Sequence, residues 1–329
     1  MSEQEIDKMH KIFRENGQKA LGLAKNLVLE EAGKLHSKEA REALEYFINE
    51  YWHDVVTPAL IVLSCKSVGG DPDKTMPVAV PVILVSGAVD IHDDIIDQSK
   101  TKYDRPTVFG KYGEAIAILT GDALLFKGLS LMQETMQSLP RAKSAEIGRI
   151  LKTAFFELGD AEASEIGFKS NFDVAPEEYL SVMKNKAADV EGLFHIGAIV
   201  GGGSPKQIEA LRLYGRTFGL LSTLRDDWID TLDQEELMHR IFYENLPFPI
   251  LYALQSKRAR TNILRILQNR KELTTKDAEK ICEIAEECGG FERVKKVITC
   301  LAKEAETELT QSKIANKDLH FLLAFVSNI

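Results

Sequence analysis

Three stretches near the C-terminus, "AEKICEIAEEC" (278–288), "FERVKKVITCLAKEAETEL" (291–309) and "LHFLLAFV" (319–326), repeat apolar residues at i, i+3, i+4 and i+7. That spacing lines one face of a helix. Elsewhere no run alternates apolar and polar residues between hairpin signals, so the sequence predicts an all-α fold without a sheet. Breaks fall at 69–74, 99–113, 138–143, 170–176, 201–205 and after residue 230, and Asp173 with Pro176–Glu178 signals a helix start. The breaks are short and separate helices of about 15–25 residues, so one large bundle spanning 1–329 is expected rather than two domains.

Within this pattern lies one internal echo. "HDDIID" (92–97) returns as "RDDWID" (225–230), each copy closing an apolar run, "PVILVSGAV" in one case and "TFGLLSTL" in the other. Residues i and i+4 share a helix face, which pairs Asp93 with Asp97 and Asp226 with Asp230. Like charges at that spacing cost about 0.2–0.5 kcal/mol per pair, and a lone acidic helix end is usually just solvated. Two such clusters point instead to bound cations. Oxygen-only ligation favours Mg²⁺, which takes one or two carboxylates and completes its shell with substrate phosphates. The candidate metal ligands are therefore Asp93, Asp94, Asp97, Asp226, Asp227 and Asp230, with several Mg²⁺ ions bridging to a diphosphate.

The formal net charge of −9 fits this picture and argues against nucleic acid as a partner, since phosphate backbones attract basic surfaces. The first residues, "MSEQEIDKMHKIF", are charged and lack the apolar core of a signal peptide. The uncharged stretch 76–89 contains two prolines and is shorter than the ~20 residues of a membrane span. Cys65, Cys282, Cys288 and Cys300 show no CxxC spacing, and the last three read as small buried residues of amphipathic helices. A cytoplasmic setting without a transmembrane segment is expected.

The ordered string "DDIID … RPT … FGKYGEAIAILTGDALL … EEYLSVMKNKA … IGAIVGG … FGLLSTLRDDWID … LPFPILYAL" resembles the trans-prenyl diphosphate synthase, or polyprenyl synthetase, family over about residues 55–255. The resemblance implies the isoprenoid synthase fold, a helical bundle around a central cavity that is usually dimeric. It also implies Mg²⁺-dependent ionisation of an allylic prenyl diphosphate. By position it assigns Asp93, Asp97, Asp226 and Lys186 to catalysis, and Lys102, Lys186 and Arg225 to the diphosphate. Ala187 stands where the family has threonine beside Lys186, and Lys102 replaces the first residue of an Arg-Arg pair.

The family's site for a second substrate, isopentenyl diphosphate, reads as dismantled. Asp54 and Thr57 occupy positions of a lysine and an arginine, Tyr103 takes the second arginine of the pair, and Ser86 takes a His or Gln. Ser222-Thr223 and Glu244-Asn245 replace a Phe-Gln and a Gly-Lys. A diphosphate bound without cations is costly. The expected outcome is therefore a terpene synthase reaction in which the allyl cation cyclises, loses a proton or meets water. The alternatives are a chain-elongating prenyltransferase, alone or in a heteromer with another prenyl synthase subunit, and a non-catalytic regulatory subunit. A homodimer is the expected assembly.

Small residues before the first cluster, Val85, Ala88 and Val89, imply room for a long chain, geranylgeranyl or beyond. Phe194, Trp228 and Tyr103 are aromatic candidates to face a cation, against ordinary core packing. Asp90, where the family prefers an apolar residue, is open between a further metal ligand, a proton acceptor, a partner for His92 and a plain inter-helix hydrogen bond.

Overall fold

A computed structural model describes residues 2–102, 104–268 and 272–329. The chain is all-α, as the periodicity predicts. It divides into two compact units, 2–150 with 193–208 and 151–192 with 209–329.

The first unit contains α1 (Glu3–Ala32), α2 (Lys38–Tyr46), α3 (Val56–Ser67), α4 (Met76–Ile96), α5 (Val108–Tyr112) and α6 (Glu114–Ser138). A capping box opens α1: Ser2 Oγ accepts from the Glu5 amide at 3.3 Å, and Glu5 Oε2 accepts from the Ser2 amide at 2.9 Å. Helix α4 is the core of the unit, with Val78 through Leu84 all buried. Pro81 lies inside it and has no amide to give the carbonyl one turn earlier. Thr135 of α6 donates its hydroxyl to that orphaned Pro77 carbonyl at 2.6 Å, so the break in the ladder is repaired from a neighbouring helix.

Residues 72–96 and 114–138 are each helical over 25 residues and apolar enough to cross a bilayer, a length the uncharged-stretch count misses because it stops at the first aspartate. The former is mostly covered within the fold, where a core helix belongs. A two-residue hairpin, Thr101–Lys102 against Arg105–Pro106, lies in the predicted break at 99–113 and is too short to show a period of two. Tyr103, one of the aromatic candidates, lies outside the described residues.

Helices α7 (Arg141–Phe168), α9 (Ala188–Gly201) and α10 (Pro205–Leu232) contribute residues to both units. The second unit also holds α8 (Pro176–Lys186), α11 (Gln234–Tyr243), α12 (Phe248–Ala253), α13 (Lys257–Leu267), α14 (Thr275–Glu287), α15 (Gly290–Gln311) and α16 (Lys317–Ser327). Pro176 starts α8, with Ala175 at the N-cap; the predicted cap Asp173 instead pairs with Arg260. The three C-terminal amphipathic stretches form α14, α15 and α16. Their cysteines correct the expectation of burial: Cys282 is half-buried, and Cys288 and Cys300 are exposed. Ile281, Ile284 and Ala285 carry the apolar stripe of α14, and Val294, Ile298, Ala305 and Leu309 that of α15, which leaves these thiols on the flanks.

Candidate functional site

The first aspartate cluster sits at the C-terminal turn of α4. Asp93 and Asp97 share a face there, with Asp97 at the helix cap. Asp94 points inward and is almost fully buried. Lys102, carried by the hairpin, places Nζ 2.8 Å from Asp94 Oδ1 and 3.9 Å from Asp93 Oδ2. Burial alone would lower the lysine's pKa, but these carboxylates outweigh it and hold the ammonium above its ordinary range. Burial pushes Asp94 up, and Lys102 opposes that. The structure thus places the predicted diphosphate lysine on the aspartates themselves.

Asp90 opens to solvent yet is surrounded by protein on most sides. Burial, then the charge of Asp54, push its carboxyl up to about 8, against the pull of Lys102. Asp54 belongs to the start of α3, where its Oδ1 accepts from the amides of Val56 and Thr57 at 2.8 and 3.0 Å. Thr57 Oγ1 lies 3.3 Å from Ser86 Oγ on α4. Three of the positions that the resemblance assigns to a second-substrate site, Asp54, Thr57 and Ser86, are therefore neighbours, and their side chains are hydroxyls and a carboxylate.

His92 approaches Asp122 of α6, with Nε2 3.5 Å from Oδ1. The approach depends on Gly121, because a Cβ there would meet His92 Nε2 at 2.4 Å. This gives a packing reason for the Gly-Asp pair in "GDALL".

The second cluster closes α10. Its middle carboxylate, Asp227, is buried and fully engaged. Tyr179 donates its hydroxyl to Oδ2 at 2.8 Å, the Phe248 amide donates to the same oxygen at 3.0 Å, and Arg240 Nη2 donates to Oδ1 at 2.9 Å. Arg240 also reaches Asp230 Oδ2 at 2.8 Å and Glu244 Oε2 at 3.3 Å. Burial, then Asp227, drive the Tyr179 hydroxyl well above its usual pKa, so it stays a donor. Asp226 is exposed on the opposite side of the turn. Burial among protein atoms, then Asp230, push Asp226 up to about 6; burial does the same for Asp230, with Arg240 opposing.

Arg240 escaped sequence reasoning. Its signal was an arginine on the apolar stripe Leu237–Arg240–Ile241 of α11, where a buried cation needs acidic partners. Lys186 sits at the end of α8 between Glu162 and Glu165 of α7, at 2.9 and 2.6 Å. Arg225 lies over the Phe325 ring, 5.1 Å from its centroid. Phe194 is fully buried in the first unit, and Trp228 packs edge-on against Phe291 with centroids 4.7 Å apart.

The donor sets fit a hard dication. Each cluster offers carboxylate oxygens alone, and its outer aspartates, Asp93 with Asp97 and Asp226 with Asp230, share a face. Burial is the main cause of the raised values of Asp226 and Asp230, and neighbouring carboxylates add to it.

Two acidic turns that each close an apolar helix are what the resemblance to enzymes acting on prenyl diphosphates leads one to expect. The Polyprenyl synthetase family model matches residues 39–285, and the chain is a member of that family. It is 31% identical to the "Short chain isoprenyl diphosphate synthase" of Methanothermobacter thermautotrophicus, over 69% of this chain and 72% of the other. It is 27% identical to a geranylgeranyl diphosphate synthase of Methanosarcina mazei, over 77% and 78%. The structure of a geranylgeranyl pyrophosphate synthetase from Pyrococcus horikoshii superposes with a TM-score of 0.83, covering 98% of this chain and 99% of that one at 22% identity. The isoprenoid synthase fold is thereby established.

Proposed function

We propose that the protein is a prenyltransferase that ionises an allylic prenyl diphosphate and extends it with isopentenyl diphosphate. The observation that carries the reading is the pair of acidic turns, each closing an apolar helix, whose buried middle aspartates are held by Lys102 and Arg240 while the outer carboxylates of each turn share a face. Asp93 and Asp97 on α4, and Asp226 and Asp230 on α10, would hold Mg²⁺. Bound there, the metal neutralises charge developing on the departing diphosphate. Lys186 and Arg225 are the further cations assigned to that diphosphate, and the tie to Lys102 keeps Asp94 out of the solvent. Chain elongation ranks first because the cited relatives are named as isoprenyl diphosphate synthases. The small side chains of Val85, Ala88 and Val89 support a product of geranylgeranyl length or longer.

A second reading, a terpene synthase outcome, is favoured by one observation. Asp54, Thr57 and Ser86 gather hydroxyls and a carboxylate where a second diphosphate would need cations. Incubating the pure protein and Mg²⁺ with geranyl, farnesyl and geranylgeranyl diphosphate, each with and without isopentenyl diphosphate, separates the two. Longer diphosphates formed only with isopentenyl diphosphate support elongation. Hydrocarbon or alcohol formed without it overturns elongation in favour of the second reading.

A homodimer is supported by the exposed apolar residues Ile118, Leu119, Phe126 and Leu129 along α6. Four free cysteines support a cytoplasmic setting. Light scattering on the purified protein tests the assembly; a monomer at micromolar concentration would rule it out.

A further inference from the structure

Beside the second aspartate cluster, and sharing Arg240 with it, three ligand-type side chains converge at α11. Glu236 and His239 stand three residues apart, a spacing that puts both on one helix face. Helix α11 then stops: Glu244 adopts φ −124°, ψ −149°, off the helical path. Its carboxylate comes within 3.1 Å of His239 Nδ1. One ligand atom from each of the three residues lies within 4.8 Å of the others. Bonds of about 2.0–2.1 Å to a tetrahedral Zn²⁺ set neighbouring donors roughly 3.3 Å apart. The His239–Glu244 pair already has that separation, and Glu236 is an exposed side chain with rotamers able to close the rest.

The local charge points the same way. Arg240 is shared by Asp227, Asp230 and Glu244, so one guanidinium faces three carboxylates before Glu236 is counted. The C-terminal carbonyls of α11 add to the negative side. Burial alone would raise the Glu244 carboxyl, but His239 and Arg240 hold it below the ordinary range, which keeps its oxygens ionised at neutral pH.

We propose that Glu236, His239 and Glu244 form a binding site for one first-row dication of the Zn²⁺ type, separate from the aspartate clusters. One imidazole with two carboxylates selects such an ion over Mg²⁺, whose ligands are oxygens. Bound there, the ion draws the Glu244 carboxylate away from Arg240 and leaves the guanidinium to Asp227 and Asp230. The site therefore acts on the residue that fixes the second aspartate cluster.

Co²⁺, a spectroscopic substitute for Zn²⁺, gives a readout independent of prenyl diphosphate turnover. The untagged full-length protein is stripped with chelator and placed in excess Mg²⁺ to fill oxygen-only sites. It is then titrated with Co²⁺ while visible absorption is recorded. One equivalent with a ligand-field band that Zn²⁺ displaces is expected. His239→Ala and Glu236→Gln should each weaken Co²⁺ binding by tenfold or more, with unchanged far-ultraviolet circular dichroism. Because Glu236 is exposed, its variant keeps the test open should His239→Ala fold poorly. No Co²⁺ uptake in excess Mg²⁺, or a band that survives both substitutions, overturns the proposal.

Discussion

At the end of α4 the buried carboxylate of Asp94 is held by a lysine on a two-residue hairpin, and that lysine keeps 37% of its side chain in solvent. At the end of α10 the equivalent Asp227 is held by an arginine only 9% exposed, by the Tyr179 hydroxyl and by the Phe248 amide. The two turns share the pattern Asp-Asp-x-x-Asp, and in both the second aspartate is buried against a cationic side chain. They differ in how firmly it is held. A single ion pair with one partner partly in solvent leaves water able to replace the cation, whereas a fully buried network is costly to break. The first turn is thus built to yield and the second to stay put.

The sharpest way to break this contrast is Arg240→Ala. It leaves Asp227 buried without its cation and should cost about 3–5 kcal/mol of unfolding free energy in urea. Lys102→Ala should cost less, because the lysine is partly open to solvent and water can take over part of its role at Asp94. The reverse order would show that the two turns are held equally. Next in size, Asp93→Ala or Asp226→Ala should reduce diphosphate release by roughly 10²–10³-fold in a phosphate-release assay, with little change in stability. Near-normal turnover would mean the outer carboxylates are only solvated surface.

Smaller is the effect of Tyr179→Phe, which removes one donor to a charged group and should lower stability by about 1.5–3 kcal/mol while the Arg240 pairs remain. No loss would place the whole of the second anchor on the arginine. The gentlest test concerns Asp90 at the first turn. Its folded value, about 8, lies above the ~3.9 of an unfolded aspartate, so the folded chain keeps the proton longer. Stability should fall as pH rises between those values. That part of the slope should vanish in Asp90→Asn, read as urea midpoints across the same range. An identical slope in the variant would remove Asp90 as its source.

Much of this architecture was open to reading. Helical periodicity located α14 to α16, and the repeated acidic string located both turns. What stayed hidden were relations across sequence distance. Lys186 reads as a phosphate ligand by its place in "KNKAA", but only the fold shows Glu162 and Glu165 one helix away. Asp227 reads as a metal ligand by motif, whereas its role depends on Tyr179, 48 residues earlier, and on Arg240, 13 residues later. A motif records which side chains are present; packing decides which of them remain open.

Gly121 extends that point to a residue without a side chain. His92 occupies the volume that a side chain at 121 would need, so a larger residue at 121 requires the imidazole to move. A methyl at 121 would swing the imidazole off Asp122 and disturb the helical turn that carries Asp93. A smaller residue at 92 would leave a void beside α6. A position that bears no charge thus sets where the imidazole beside the acidic turn can stand.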